Sequence, residues 1–545
     1  MKHRKKGLTA MMAAGTAMVV ALTGCSGSNG TPKVTSAPAT EGAAVALKDG
    51  KIVSSPLTLS YFVQMSGNPA PGVKSYNDMA AYQETEKKTG IHIDFQHPAT
   101  GQEKNQFNLL MASGNYPDVI EWGWGDYPGG GVGAMNSGVI IPLNDYMAKY
   151  APNLTKLLAD NPDIKKAIST DDGRIFAFPF LRNDPYLRTY FGLGIRQDWL
   201  DKVGLAMPET IDEWHTVLKA FKENDPNGNG KADEIPLLIR KDTMLNFSNV
   251  FLNAWGISGR FNLDGGKVVY GPIQPKYKEF LQTMRNWYKE GLIDRDYAGT
   301  DDKQKDAKWT GELIGVSELA VGGGIGKYTN AMSGKNPKFS LVGAPYPVMN
   351  KGDKPVLGQV EPIFNSVGAA ITKNNKHVAE TVKWLDYKYG QEGSLLFNFG
   401  IEGKSYAMKD GFPTYTDEIM KNPDGLSFAT ALGRYAVPFG GPLVQDKRYQ
   451  EQNASLPQQR NALKTWMDVK NDGWIPPLSF TNEESTRLAS VMTDITTYRD
   501  EMFDKFVMGA EPIENFDKYV KAIQGMGIQE IIDIQEAAYK RYLKR

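Results

Sequence analysis

Leu57-Thr58-Leu59-Ser60-Tyr61-Phe62-Val63 places apolar side chains at its odd positions, the alternation of a strand with one face in a core. Downstream the period becomes helical over 78–88, stops at Gly90, and returns to alternation in Ile91-His92-Ile93-Asp94-Phe95. A second helical stretch at 103–112 leads into Pro117-Asp118-Val119-Ile120-Glu121-Trp122. Strand, helix, strand, helix, strand predicts a parallel α/β sheet, because parallel neighbours need a long crossover and a helix supplies one.

The rhythm restarts after Arg174-Ile175-Phe176-Ala177-Phe178-Pro179. A strand is expected at 190–195, a helix at 211–223, a strand at 235–239 and a helix at 277–289. The last part is strongly helical, at 483–507, 516–524 and 528–543, and no repeat of fixed period is present. Two α/β lobes follow, with the chain crossing between them more than once and the C-terminal part helical.

The N-terminus has a separate logic. Lys2, Arg4, Lys5 and Lys6 precede an apolar stretch over 8–22, which ends in Leu22-Thr23-Gly24-Cys25. A basic start and a short apolar run make a secretion signal, too short and too interrupted to be a membrane span. Cys25 is the only cysteine, so it cannot form an internal disulfide. From Ser26 to about Ser55 the chain is rich in Ser, Gly, Thr, Ala and Pro, a composition that buries too little apolar surface to fold. Some 30 such residues reach roughly 30 Å, enough for a tether. Behind the leader the chain holds 58 basic and 62 acidic residues, with no basic face for phosphates and hence no reading as a nucleic-acid binder.

Several segments carry a family resemblance. Leu22-Thr23-Gly24-Cys25 resembles the bacterial lipobox, which implies removal of residues 1–24, a diacylglycerol thioether on Cys25 and a further acyl chain such as palmitate. Ala112-Ser113-Gly114-Asn115-Tyr116-Pro117-Asp118-Val119 resembles the ASGxxPDV segment of the extracellular solute-binding proteins of sugar ABC importers. So do Ile141–Tyr146, Asp172–Pro179, Arg196–Leu205, Gly400–Tyr406 and Ile534–Tyr539, in order along nearly the whole mature chain. The large branch with LplA-like lipoproteins and alginate-oligosaccharide-binding proteins is the most similar. The resemblance implies a type II periplasmic-binding-protein-like fold. One lobe is expected at 56–183 plus about 361–400, and the other at about 188–358 plus about 404–545. It also implies an oligosaccharide ligand, hinge closure about the crossings, ABC permease subunits as partners, and a monomer lipid-anchored on the outer face of the cytoplasmic membrane.

Asp225-Pro226-Asn227-Gly228-Asn229-Gly230-Lys231-Ala232-Asp233-Glu234 is the sharpest chemical motif. Oxygen-bearing side chains at loop positions 1, 3, 5 and 9, with Gly at 6, reproduce the first part of an EF-hand calcium loop. Position 12 is Pro236 instead of the bidentate Glu. Carried over from the alginate-binding branch, the ligands of a structural Ca²⁺ would be Asp225, Asn227, Asn229, Lys231 through its carbonyl, Asp233 and Glu234.

Sugars are held by aromatic faces and planar polar groups. Of the ten tryptophans, Trp214, Trp287, Trp384 and Trp466 fall on apolar helical stripes and Trp199 in a first helical turn, which assigns them to cores. Trp122, Trp124, Trp255, Trp309 and Trp474 do not. Trp122-Gly123-Trp124-Gly125-Asp126 follows a parallel strand, at the end where α/β sheets bind ligands. Asn253 and Trp255 offer an amide and a plate in the other lobe. The expected ligand contacts are Trp122, Trp124, Asp126, Asn253 and Trp255, joined by Arg182 and Glu361 at the crossings and by Tyr406.

Catalytic signatures are missing. Gly322-Gly323-Gly324-Ile325-Gly326-Lys327-Tyr328 fails as a P-loop, since Val321 and Tyr328 stand where Gly and Ser/Thr are required, and there is no HExxH or GxSxG. The sequence therefore reads as a receptor and not an enzyme. The alternatives are a surface glycoside hydrolase or lyase, which needs only two carboxylates, and a polysaccharide-binding adhesin.

Overall fold

The computed structural model describes residues 51–65, 69–241 and 250–545; the leader, Cys25 and most of the tether lie outside the described residues. The opening stretch forms β1 (Leu57–Val63), which pairs in parallel with β2 (Ile91–Gln96) and β3 (Val119–Gly123). Helices Ala80–Thr89 and Glu103–Ser113 are the crossovers, and the first ends at Gly90 in the left-handed region (φ 76°). Two further strands complete this sheet, β4 (Phe178–Pro179) and β11 (Val367–Ile371), in the order β2-β1-β3-β11-β4. The return strand β11 runs antiparallel to β3, with Ala369 opposite Glu121.

The second sheet has β5 (Phe191–Arg196), β6 (Ile235–Leu238), β9 (Ile314–Ala320) and β10 (Leu341–Gly343), in the order β10-β5-β9-β6. Here the expected parallel rhythm is only half kept. β6 and β9 are parallel, but β9 is inserted beside β5 and runs against it. Periodicity reports which faces are buried and says nothing about which strands are neighbours. The helix predicted over 211–223 spans Ile211–Glu223 and opens on a capping box between Thr210 and Glu213. The long helix Asn482–Met508 packs on Pro275–Glu290 and brings Phe503 and Phe506 into this lobe's core.

Each sheet has its own core, Leu59, Ile91, Val119 and Ile371 in one and Leu193, Leu237, Val316 and Leu341 in the other. Two small hairpins, β7–β8 (Phe261–Asp264, Lys267–Tyr270) and β12–β13 (Tyr406–Lys409, Phe412–Tyr415), lie apart from the sheets. The second hairpin, with Phe399, Ile419, Leu432 and Tyr449, builds a small separate core.

Three segments pass between the sheets: 180–190, 344–366 and the stretch from 443 to the helix Pro457–Met467, whose Trp466 is in the second core. They are stitched into one band. Leu181 N–H donates to Leu443 O, Arg182 N–H to Ile363 O and Glu361 N–H to Arg188 O. At the far end Arg541 and Arg545, in and just beyond the last helix, both reach Asp171 in the first lobe.

Candidate functional site

Strand β9 is buried along almost its whole length, so its carboxyl end delivers the chain to the rim of the second sheet. There Val321–Gly326 makes a single π-helical turn, a rare geometry that is frequent at functional sites. Gly324 answers to close approach, since a Cβ there would stand 2.8 Å from the Cβ and 3.2 Å from the Cα of Leu319. The turn opens onto a cavity of about 980 Å³, floored by Arg182 and Tyr190 of the first crossing and closed by Phe428, Tyr449, Gln450 and Gln452. Amides dominate its polar lining, and among the described residues no carboxylate lines it. Gln450 is buried, and its Nε2 has no hydrogen-bond partner, while its Oε1 accepts from Asn453.

A second cavity, of about 1030 Å³, lies against the same crossings and is walled by Arg188, Glu361, Arg260, Asn471, Trp474 and Tyr542. Arg182 lines the first cavity and Glu361 the second, and the two are ion-paired at 3.8 Å. The Tyr190 hydroxyl donates to the same Glu361 carboxylate at 3.3 Å. Burial, with the Glu361 charge nearby, pushes the Tyr190 phenol up to about 12. Arg182 also stacks over the rings of Phe180 and Tyr190. This polar group is the partition between the cavities.

The expected aromatic contacts sit elsewhere. Trp122 stacks on Phe107, with ring centroids 4.6 Å apart and planes 5° from parallel, and Trp124 is fully buried with its indole N–H on Gly368 O. Asp126 accepts from the Trp122 indole and pairs with Lys104. Trp255 packs edge-on against Phe280, Asn253 is buried and donates to Leu357 O, and Tyr406 is in the small hairpin core. None of these six lines either cavity. The expected contacts Trp122, Trp124 and Trp255 are corrected to core aromatics: Trp122 and Trp124 turn inward to cover the first sheet, and Trp255 packs into the second core. Arg182 and Glu361 alone of the expected contacts reach the cavities. Trp474 is the one tryptophan of ten that is not buried.

The 225–234 loop lies between helix Ile211–Glu223 and β6. Asp225 takes a positive φ of 43° and receives the N–H groups of Gly228, Asn229 and Gly230. Asn227 and Asn229 turn their amides to Asp233. Both carboxylate oxygens of Glu234 are buried without a hydrogen bond. Desolvation holds this carboxyl above its ordinary value; its own backbone N–H opposes the shift, and the charges of Asp225 and Asp233 add to it. Among the described residues no three His, Cys, Asp or Glu side chains form an ion-holding cluster by themselves. The donor set of this loop draws instead on amides and a carbonyl, and an orphaned acid beside two others fits a bound cation.

Two sheets joined by a stitched band, with cavities against that band, are the architecture of a hinged ligand-capture protein. The chain belongs to the bacterial extracellular solute-binding protein family, whose profile matches residues 69–394. It is 28% identical over 494 residues to the fructooligosaccharide ABC transporter substrate-binding protein FusA of Streptococcus pneumoniae, covering 86% of this chain and 88% of that one. The polygalacturonan/rhamnogalacturonan-binding protein YtcQ of Bacillus subtilis is 24% identical, covering 85% and 88%. Among solved structures, alginate-binding protein AlgQ2 without calcium ion superposes with a TM-score of 0.75 at 25% identity, covering 90% of this chain and 99% of that one. S. pneumoniae FusA is also solved with kestose (TM-score 0.74, 26% identity, covering 89% and 99%), and as an EF-hand mutant.

Proposed function

We propose that this protein is the carbohydrate receptor of a bacterial ABC importer, and that it takes an oligosaccharide in the cavity beyond β9. The names of its relatives FusA, YtcQ and AlgQ2 support the ligand class. One observation carries the location: the buried, unpartnered Gln450 Nε2 in the wall of that cavity. A buried donor without a partner costs about 1–3 kcal/mol, which a ligand hydroxyl would recover. Tyr190, Phe428 and Tyr449 supply rings for sugar C–H faces, and Gly322 and Gly323 let a ligand approach the backbone. A cavity lined by amides and free of carboxylates favours capture over hydrolysis, since glycosidases act through two carboxyl groups.

Closure then follows as a population shift. Residues 56–183 with about 361–443 would move against the remainder about the stitched crossings, since the segment expected in the second lobe from about 404 packs on the first as far as the third crossing, where Ala80 and Ala81 N–H donate to Arg434 and Tyr435 O. A ligand that touches both sides would favour the closed state. The closed monomer would dock on permease subunits. The tether and an acylated Cys25 would hold it at the outer face of the membrane; among the described residues no helix is long and apolar enough to cross one. Ca²⁺, held by Asp225, Asn227, Asn229, the Lys231 carbonyl, Asp233 and Glu234, would act structurally. It would offset the charges of the loop's three carboxylates and fix the entry into β6.

Calorimetric titration with kestose, raffinose, stachyose and oligogalacturonates tests the reading. At least one neutral oligosaccharide is expected to bind, and Gln450→Leu, which keeps the volume and removes the donor, should weaken it about tenfold or more. Binding unchanged in Gln450→Leu would move the site elsewhere.

A further inference from the structure

The second cavity has a chemistry the first lacks. Trp474 is half-buried there, its indole N–H fixed on Gly358 O at 2.8 Å, and the guanidinium of Arg260 stands 5.6 Å over its ring. Arg260 is exposed to the cavity, yet it is enclosed enough that desolvation lowers its guanidinium below the ordinary arginine value. Among the described residues its side chain makes no hydrogen bond and has no carboxylate within ion-pair distance. Lys166, on the opposite wall, lies over the Tyr542 ring and is likewise without an acidic partner.

The contrast with the first cavity is informative. Its two cations are spent: Arg182 is paired with Glu361, and Lys327 with Asp306 at 2.5 Å. In the second cavity Glu361 is bound by Arg182 and Tyr190 and reaches Arg260 only from beyond ion-pair distance, where its charge offsets desolvation only in part. A guanidinium fork without a partner, held over an accessible indole, presents a carboxylate receptor and an apolar plate side by side. Gln359, Asn365 and Asn471 add planar polar groups around them.

We infer that this cavity is a second, separate saccharide site that takes an acidic sugar, its carboxylate on Arg260 and its C–H face on Trp474. Residues of both lobes wall it, Lys166 and Asn365 from one and Arg260 and Trp474 from the other. Its occupancy is therefore linked to the lobe angle, as is that of the first cavity. The inference does not depend on the β9 cavity being the main cleft.

Nine of the ten tryptophans are buried, so iodide quenching of tryptophan fluorescence reports on Trp474. Trigalacturonate is expected to protect the purified protein from iodide, and galactotriose, its neutral counterpart, is not. Arg260→Gln removes no hydrogen bond or ion pair, only the contact over the Trp474 ring, and should fold normally. It should weaken trigalacturonate protection about tenfold or more, the effect of losing a charge-assisted pair. Gln450→Leu should leave the protection unchanged while weakening the neutral ligand, which separates the two sites. The absence of protection would overturn the inference. So would equal protection by galactotriose, unchanged protection in Arg260→Gln, or loss of protection in Gln450→Leu.

Discussion

Replacing Glu234 by Gln should move stability in opposite directions with and without calcium. In the metal-free protein both Glu234 oxygens are buried and unbonded, and Asp225 and Asp233 repel the charge. An unsatisfied buried polar group costs about 1–3 kcal/mol, and the lower end applies because the residue as a whole is only half-buried. Glu234→Gln should therefore stabilise the chelated protein by about 1 kcal/mol, a rise in Tm of roughly 2–4 °C or less for a chain of this size. With calcium at about a hundred times its Kd, binding adds about 2.7 kcal/mol to the native protein, and the variant should lose most of that.

The pH dependence has a definite sign. The folded-state carboxyl titrates above its ordinary value of 4.5, so the folded protein holds the proton where the unfolded chain has released it. This contribution is present below that value and is lost as pH rises through the raised one. In chelator, the advantage of Glu234→Gln should thus vanish below about pH 4.5 and grow toward neutrality. Thermal unfolding followed by circular dichroism, in EDTA and in calcium chloride, reads all of this. A variant less stable than the parent in EDTA, with its calcium response intact, would refute the reasoning.

Other expectations concern the core, the expected plates and the anchor. Lys388 is fully buried among Tyr82, Trp384 and Phe397, and burial depresses it to about 8, with Glu121 as its charge partner. Stability should rise with pH from about 8 toward 10.5, where the unfolded chain keeps a proton the folded one has lost. Lys388→Met or Glu121→Gln alone should destabilise the protein by leaving the other charge buried without its counter-charge, and the double variant should cost markedly less than their sum in urea unfolding. Trp122→Ala should lose about 3–5 kcal/mol from the core while the folded fraction keeps its saccharide affinity, measured by calorimetry. Cys25→Ala should move the protein from the membrane fraction to the soluble extracellular fraction on cell fractionation.

The fold was legible because burial periodicity carries it: β1, β2, β3 and the helices at 211–223 and 528–543 stand where their patterns put them. The insertion of β9 beside β5 was not legible, since it depends on a pairing far along the chain. Arg182 and Glu361 line the cavities because both lie on the crossings, and the crossings are legible as the breaks between the two α/β rhythms. Trp122 and Trp124 were misread, because tryptophans after a strand suit a ligand plate and a sheet cover equally well. Trp309 and Trp474 were alike in sequence, and only packing separates a buried Trp309 from a half-buried Trp474. The glycine run at 322–326, rejected as a P-loop, was still a signal of close backbone approach after a strand. Gln450 gave none, since an amide without a partner exists only in three dimensions.

Capture by closure is open to small-angle scattering. The protein is measured alone and saturated with the neutral oligosaccharide that binds most tightly in the panel. The bound protein should have a smaller radius of gyration than the free one, and Gln450→Leu should show no change at the same sugar concentration. Tight binding with an unchanged radius would contradict it.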